Sequence, residues 1–360
     1  MTMQAVVKRG ASLLLEDIAI PQPGKGQVLV RTTHCGICGS DIHAHHHYDA
    51  MIDAGRRTGL PTGNLDPAKD VIFGHEFCAE LVDYGPETEK KVALGTSICA
   101  LAMNFDDDRI EGVGYSNRYN GGYAEYMVLT ESLLLPVTNG LPSELAALTE
   151  PMAVAVHAVA KADQANSAYY VVGCGPIGLA IILELKARGL GPIIAADLQP
   201  ERRALAEQLG ADHVLDPSQS DPLELWRSLG VPTELLALGM ASNPRRPVIF
   251  ECVGRPGLLN TLICQAPPAA QIIVAGVCMA KDQIEPMIAN NKEIDLRFVM
   301  AYTAQEFSDT LRRLCEGELS AGALITGTVD LAGVAGAFDL LHTNPQHAKV
   351  MVAPGSGRHL

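Results

Sequence analysis

Three short motifs hold soft and hard metal ligands far apart in the chain. They are Cys35-Gly36-Ile37-Cys38-Gly39-Ser40-Asp41-Ile42-His43, then Gly74-His75-Glu76, then Glu150-Pro151. A fourth motif, Gly173-Cys174-Gly175-Pro176-Ile177-Gly178, follows the apolar run Tyr169 to Val172 and has the G-x-G-x-x-G spacing of a dinucleotide-binding turn. In such a turn the first glycine permits the tight bend, the second lets a pyrophosphate approach the backbone, and the third lets helix pack on sheet. Amides at the start of the following helix, predicted to run to about Arg188, face the phosphates. Pro176, in the first turn, gives up no helix hydrogen bond.

The next apolar strand ends in Asp197, about 20 residues beyond the last glycine, where a carboxylate accepts ribose hydroxyls. That carboxylate repels a 2'-phosphate, so NAD is expected rather than NADP. Arg202 and Arg203 keep NADP open, although adenine stacking or plain exposure explains them equally.

Two textures position these motifs. Short alternating apolar runs broken by Gly and Pro, such as Gln27 to Thr32, fill the first part of the chain and predict a β-rich domain. From about Pro151, Ala-rich helical stretches alternate with the Val/Ile runs Tyr169 to Val172, Ile193 to Ala196, Val248 to Phe250 and Ile272 to Ala275, the rhythm of a doubly wound parallel sheet. The expected fold class is α/β, with a Rossmann domain over 155–290 inserted into a first domain made of 1–154 and 291–360. The tail through Phe298 to Tyr302 and Lys349 to Val352 is expected to return to that first domain.

The composition narrows the function classes. With 41 acidic against 27 basic residues the formal charge is -14, which repels nucleic acid and anionic membranes. Two uncharged stretches, Gln164 to Leu183 and Pro256 to Ala280, are broken by glycines and prolines and are expected to be buried strands with their turns rather than membrane spans. Lys8 and Arg9 precede only three leucines and then Glu16 and Asp17, so no secretory leader is expected. Nine scattered cysteines fit reduced thiols in a cytoplasmic setting better than a disulfide framework.

Taken together and in this order, the motifs resemble the zinc-containing medium-chain dehydrogenase/reductase family, in particular its sorbitol, threonine and butanediol dehydrogenase branch. The likeness spans nearly the whole chain, down to the closing His347-Ala348-Lys349-Val350. It implies a GroES-like catalytic first domain and one catalytic Zn2+ per chain, with Cys38 rather than Cys35 as thiolate ligand, His75 as imidazole ligand, and Glu76 or Glu150 as the carboxylate. The choice between the two glutamates stays open, one binding metal and the other contacting its water. Such a set leaves the fourth position free for substrate. The resemblance makes Asp41 the acceptor that fixes His75. It places Ser40 beside the substrate oxygen and His43, with an unperturbed pKa near about 6.5, in a proton relay through the nicotinamide ribose. Zinc then acts as a Lewis acid on a small alcohol or carbonyl substrate while the nicotinamide takes or gives hydride. Cys252, Val253 and Gly254 match the loop at the nicotinamide ribose, Ala275, Phe298 and Met300 the backbone that holds the carboxamide, and Lys349 a basic position near the pyrophosphate or the acids. A homo-oligomer, dimer or tetramer, is implied too.

Ordinary readings stand beside these. Cys35 and Cys38 form a C-x-x-C pair open to redox chemistry, His75 alone would be a core histidine, His43 a surface one, and Glu150 a cap ahead of Pro151. The expected reaction is oxidation of a secondary alcohol or polyol, or the reverse ketone reduction; a primary-alcohol dehydrogenase or aldehyde reductase is the alternative enzyme, and a non-catalytic NAD-binding protein the alternative outside enzymology. The chain also departs from the family. Only Cys99 stands in Ile98 to Gly122, so no four-cysteine structural zinc is expected. The 44–72 segment, with His45-His46-His47-Tyr48, is roughly a dozen residues longer than this fold needs, and is expected as a substrate-selecting loop over the active-site mouth. Phe105 to Glu111 is expected as a solvated surface loop.

Overall fold

Every residue of Ser167–Val172, Ile193–Ala196 and Gln271–Val274 is buried, the mark of strands covered on both faces. These runs sit in the second of two units into which the computed structural model divides, Pro151–Glu306; the other is Met1–Glu150 with Phe307–Leu360. The structure describes residues 1–106, 109–239, 242–343 and 347–355.

In the second unit six parallel strands lie in the order His213–Leu215, Ile193–Ala196, Ser167–Val172, Arg246–Glu251, Gln271–Val274, Asp295–Phe298. Strand order reverses between Ser167–Val172 and Arg246–Glu251, the switch point at which a doubly wound sheet binds nucleotides beyond its carboxyl ends. Tyr170, Ile249, Leu262, Ile272 and Trp226 fill the core on one face. Helix Pro176–Ala187 buries Leu179 to Ile182 and Leu185, and its one buried charge, Glu184, is bound by Arg188 Nε at 2.6 Å one turn on. The unit extends past the expected end at 290 because Asp295–Phe298 pairs in parallel with Gln271–Val274, from Gln271 opposite Asp295 to Val274 opposite Phe298. Phe298 to Tyr302 therefore stays with this unit instead of returning to the first. Among the described residues no helix is long and apolar enough to cross a membrane; part of the first uncharged stretch is the buried helix that follows the glycine turn, and part of the second is helix Leu258–Gln265.

The first unit is built on a seven-stranded sheet. Its order is Ile325–Val329, Lys349–Val352, Gln27–Gly36, Glu76–Tyr84, Ser97–Ala100, Leu134–Pro136, with Tyr126–Thr130 also paired to Gln27–Gly36. Register is what gathers the chemistry: Gly36 lies opposite both Glu76 and Met351, so segments far apart in sequence meet at one end of Gln27–Gly36.

Two expected loops are regular structure. Residues 44–72 form the end of helix Gly39–His46, then helix Tyr48–Thr58 and a turn of 3-10 helix at Pro61–Asn64. Tyr48, Met51, Ile52 and Gly55 recur at helical spacing and are buried, and the absence of a side chain on Gly55 lets Thr62 and Gly63 pack directly on that helix. Met103–Asp106 and Arg109–Gly112 form a β-hairpin where a surface loop was expected; Asp107 and Asp108 lie outside the described residues. Asn104 ties this hairpin down, donating to Val128 O at 2.8 Å and accepting from Thr130 N at 2.7 Å.

Candidate functional site

Cys38 immediately precedes helix Gly39–His46, and Ser40 and Asp41 occupy its first turn. His75 and Glu76 stand at the start of strand Glu76–Tyr84. One ligand atom each from Cys38, His75 and Glu76 lie within 4.8 Å of one another, the only such group of His, Cys, Asp or Glu among the described residues. Sulfur, imidazole and carboxylate converging in a buried corner fit zinc, which takes this mixed set readily. Glu150, in the first turn of Thr149–Lys161, is not in the group. Nor is Cys35, whose buried Sγ packs where side chains on Gly74 or Gly122 would otherwise lie. His45, His46 and His47 do not converge on a centre of their own. With Tyr48, Asp49, Lys8, Gly10 and Ala11 they line a cavity of about 320 Å3; no residue of the metal group lines it.

The donors are held by a buried polar network. Asp41, fully buried, accepts from Tyr123 Oη at 2.6 Å and from Tyr115 Oη at 2.8 Å. Its Oδ1 lies 3.2 Å from His75 Nδ1, with that nitrogen turned off a hydrogen-bonding line. Burial works against the Asp41 carboxylate, but His75 and the two phenols hold its pKa below the usual range. Burial first, then Asp41, keeps both phenols protonated, and so able to donate. Burial and neighbouring Glu76 push the Cys38 thiol up. Burial opposes a charge on His75 too, yet Asp41 and Cys38 raise its pKa well above normal. Both shifts favour the protonated donors, so a metal ion binding here competes with protons.

Lys349 closes the corner. Of the two places open to it in the sequence, the structure puts it on the acid: its Nζ is 2.6 Å from both Glu76 oxygens, and donates to Ile37 O at 3.1 Å. Burial disfavours this ammonium, but the Glu76 and Cys38 charges raise its pKa, and Glu150 adds to them. Ser40 Oγ sits at the edge of the group, 3.1 Å from Cys38 Sγ and 3.5 Å from His75 Nε2. His43 follows in the same helix, half-buried.

The second unit makes a site of a different kind. Gly173 has φ +92, and a side chain on Gly178 would stand 1.9 Å from Gly173 O, so helix meets strand as closely as backbones allow. At Gly175 a side chain would point into open space, and helix Pro176–Ala187 has no side-chain cap, leaving its first amides, Ile177 among them, available to an anion. Asp197 follows the adjacent strand; it accepts from Cys174 N at 2.8 Å and Gln199 N at 2.9 Å, two of the roughly four bonds a carboxylate can take. Arg202 Nη1 lies 3.9 Å from Asp197, while Arg203 donates to Asp197 O and Leu198 O. Cys252, Val253, Ala275, Phe298 and Met300 follow or end the next three parallel strands, on this same carboxyl edge.

Sequence reasoning missed three residues. Tyr115 and Tyr123 bracket Asp41, and buried Glu251 organises the Cys252–Gly254 loop by accepting from Val253 N and Gly254 N, both at 2.8 Å. An acid ending the apolar run Val248 to Phe250 was a signal for Glu251; the tyrosines gave none.

Known proteins resemble this chain in sequence and in fold. Residues 24–139 match the family model of the alcohol dehydrogenase GroES-like domain and residues 176–316 that of zinc-binding dehydrogenases. A (R,R)-butanediol dehydrogenase of Bacillus subtilis is 30% identical over 351 residues, covering 94% of this chain and 96% of that one. A sorbitol dehydrogenase of the same organism is 26% identical over 370 residues, covering 97% and 96%. The crystal structure of 2R,3R-butanediol dehydrogenase from Bacillus subtilis superposes with a TM-score of 0.79 at 28% identity, over 98% of this chain and 99% of that one.

Proposed function

Because the chain belongs to the zinc-binding dehydrogenase family with an alcohol dehydrogenase GroES-like domain, we propose that it interconverts a secondary alcohol or polyol with its ketone, using one zinc and NAD. The observation that carries this reading is the convergence of Cys38, His75 and Glu76 with the Ser40 hydroxyl at their edge. When bound, zinc supplies a Lewis acid to the substrate oxygen and NAD a hydride acceptor or donor.

The chain's own residues do the rest. Cys38, His75 and Glu76 hold the ion, and Lys349 balances the Glu76 charge. Glu150 stays outside the ligand set and adds negative charge near Lys349. Ser40 Oγ would take the substrate hydroxyl proton as it gives up its own, and His43, three residues along the same helix, would carry the released proton toward solvent. At the dinucleotide end the Gly175 turn takes the pyrophosphate and Asp197 the adenosine ribose, which favours NAD over NADP. Cys252, Val253, Ala275, Phe298 and Met300 border the nicotinamide half.

Preference for a secondary hydroxyl draws on the diol named for the relative that is 30% identical. A homo-oligomer fits the exposure of Met287, Phe298 and Met300 on and near the edge strand Asp295–Phe298, and a cytoplasmic setting fits nine free cysteines. The test is metal analysis together with an NAD(H)-coupled panel of secondary and primary alcohols. One zinc per chain with turnover of secondary alcohols or polyols is expected. Activity restricted to primary alcohols rejects the substrate class, and zinc-free protein that binds NAD tightly rejects the enzyme reading.

A further inference from the structure

We propose that Tyr115 is a positioning residue that sets two side chains at once: the Asp41 carboxylate, behind His75, and the Ser40 hydroxyl, in front of it. The inference rests on the reading that Cys38, His75 and Glu76 hold zinc. Tyr115 lies beyond the hairpin Met103–Asp106 and Arg109–Gly112, outside every metal motif of the sequence.

Tyr115 Oη is 2.8 Å from Asp41 Oδ1 and 2.9 Å from Ser40 Oγ, but a phenol has one proton. A buried carboxylate is the stronger acceptor, so the phenol donates to Asp41 and its oxygen accepts from Ser40. Ser40 O–H has a second taker, Cys38 Sγ at 3.1 Å. By drawing that proton away from sulfur, Tyr115 leaves the thiolate its full donor strength and turns the Ser40 lone pairs outward, ready for a substrate hydroxyl.

Tyr123 cannot substitute. It donates to Asp41 Oδ2, whereas Tyr115 holds Oδ1, the oxygen that faces His75 Nδ1. Tyr123 also has no bond to Ser40; its other neighbour is Gly36 O at 3.3 Å. One phenol therefore anchors the carboxylate, and the other couples it to the reacting side of the metal group. The ring of Tyr115 packs separately, with centroids 5.3 Å from His75 and 5.8 Å from Phe73, so deleting the hydroxyl alone leaves that packing in place.

Tyr115→Phe is the test, with Tyr119→Phe as control because Tyr119 Oη accepts from Gln27 Nε2 at 2.9 Å, in the same unit but away from Asp41. Zinc affinity by chelator competition and the visible spectrum of the cobalt-substituted protein read the ligand field without turnover. Tyr115→Phe is expected to melt close to wild type, weaken zinc by about 10-fold, shift the cobalt bands, and lower kcat/KM by about 10-fold. In a Ser40→Ala background the kcat/KM effect should shrink while the zinc effect persists, because only the serine arm has been removed. Wild-type zinc affinity and cobalt bands in Tyr115→Phe overturn the proposal, as do equal losses in Tyr119→Phe. Failure of wild-type protein to take up zinc would instead remove the metal reading beneath it, so the two failures are distinguishable.

Discussion

Cys38 and the adjacent pair His75 and Glu76 come from two separate segments and converge through side chains, whereas the dinucleotide end is largely main chain: the Gly173–Gly178 turn, with Asp197 and Glu251 bound to loop amides. The first site is defined by which atoms are present and the second by how closely backbones approach. Substitution should therefore fail in opposite ways. Removing a side chain empties the metal group and spares the sheet, while adding one at a glycine damages the turn and spares the metal.

Cys38→Ala should give the largest effect. Lewis-acid stabilisation is worth several kcal/mol, so loss of the thiolate should lower turnover by about 1,000-fold or more and zinc content toward zero. NAD binding, followed by fluorescence titration, should stay near wild type. Near-wild-type turnover in this variant would sink the metal scheme, and a parallel loss of NAD binding would erase the contrast between the two sites.

Next comes Gly178→Ala, whose new methyl would stand 1.9 Å from Gly173 O. Overpacking of this kind costs about 1–3 kcal/mol, so the melting temperature should fall and NAD bind more weakly. Zinc content should not change. Unaltered stability would mean that the turn relaxes more freely than its geometry implies.

These two sites also differ in how much the sequence discloses. Cysteine, histidine and glutamate advertise metal chemistry by type, and glycine spacing after an apolar strand advertises a phosphate turn, so Cys38, His75 and Gly173–Gly178 could be singled out before any fold was known. The partners that tune them could not. Tyr115 and Tyr123 reach Asp41 from residues far along the chain, and Lys349 reaches Glu76 only because Lys349–Val352 pairs beside Gln27–Gly36. The 44–72 segment was misread because its helix shows an apolar stripe only over Tyr48 to Gly55, short enough to pass for a loop. The close of the second unit is hard to place because Asp295–Phe298 is only four residues long, half-exposed, and carries two charges alternating with its apolar residues, as an edge strand can.

Asp197→Asn should have a smaller effect and sharpen the comparison within the second unit. The amide keeps an oxygen for Cys174 N or Gln199 N but loses the charge that repels a 2'-phosphate. NAD affinity should fall by about 10-fold, a loss of order 1.4 kcal/mol expected when a charged hydrogen-bond acceptor is removed, while NADP changes less. Equal losses for the two nucleotides would assign Asp197 to holding the loop rather than to reading the ribose.

The opposite edge of the same sheet supplies the smallest effect. There Asp163, Arg246, Gln271 and Asp295 bind one another across the strand starts: Arg246 pairs with Asp163, Gln271 Oε1 accepts from Asp163 N at 2.7 Å, and Gln271 Nε2 donates to Asp295 at 3.0 Å. Side chains thus tie the amino edge together, while the carboxyl edge is left to backbone groups and ligand. The Arg246 guanidinium holds the Asp163 carboxyl below the usual range. Since the folded-state pKa is the lower one, the stabilisation is complete above the unfolded value of about 3.9 and disappears as pH falls through the folded value. With Asp163 and Arg246 each about one-third exposed, solvent screening keeps the contribution below about 1 kcal/mol. Asp163→Asn should therefore melt slightly below wild type at neutral pH, the gap should close in acid, and NAD affinity should be unchanged at every pH. If Asp163→Asn weakened NAD as much as Asp197→Asn does, the two edges would not be independent, and the division of labour between fastening and binding would have to be given up.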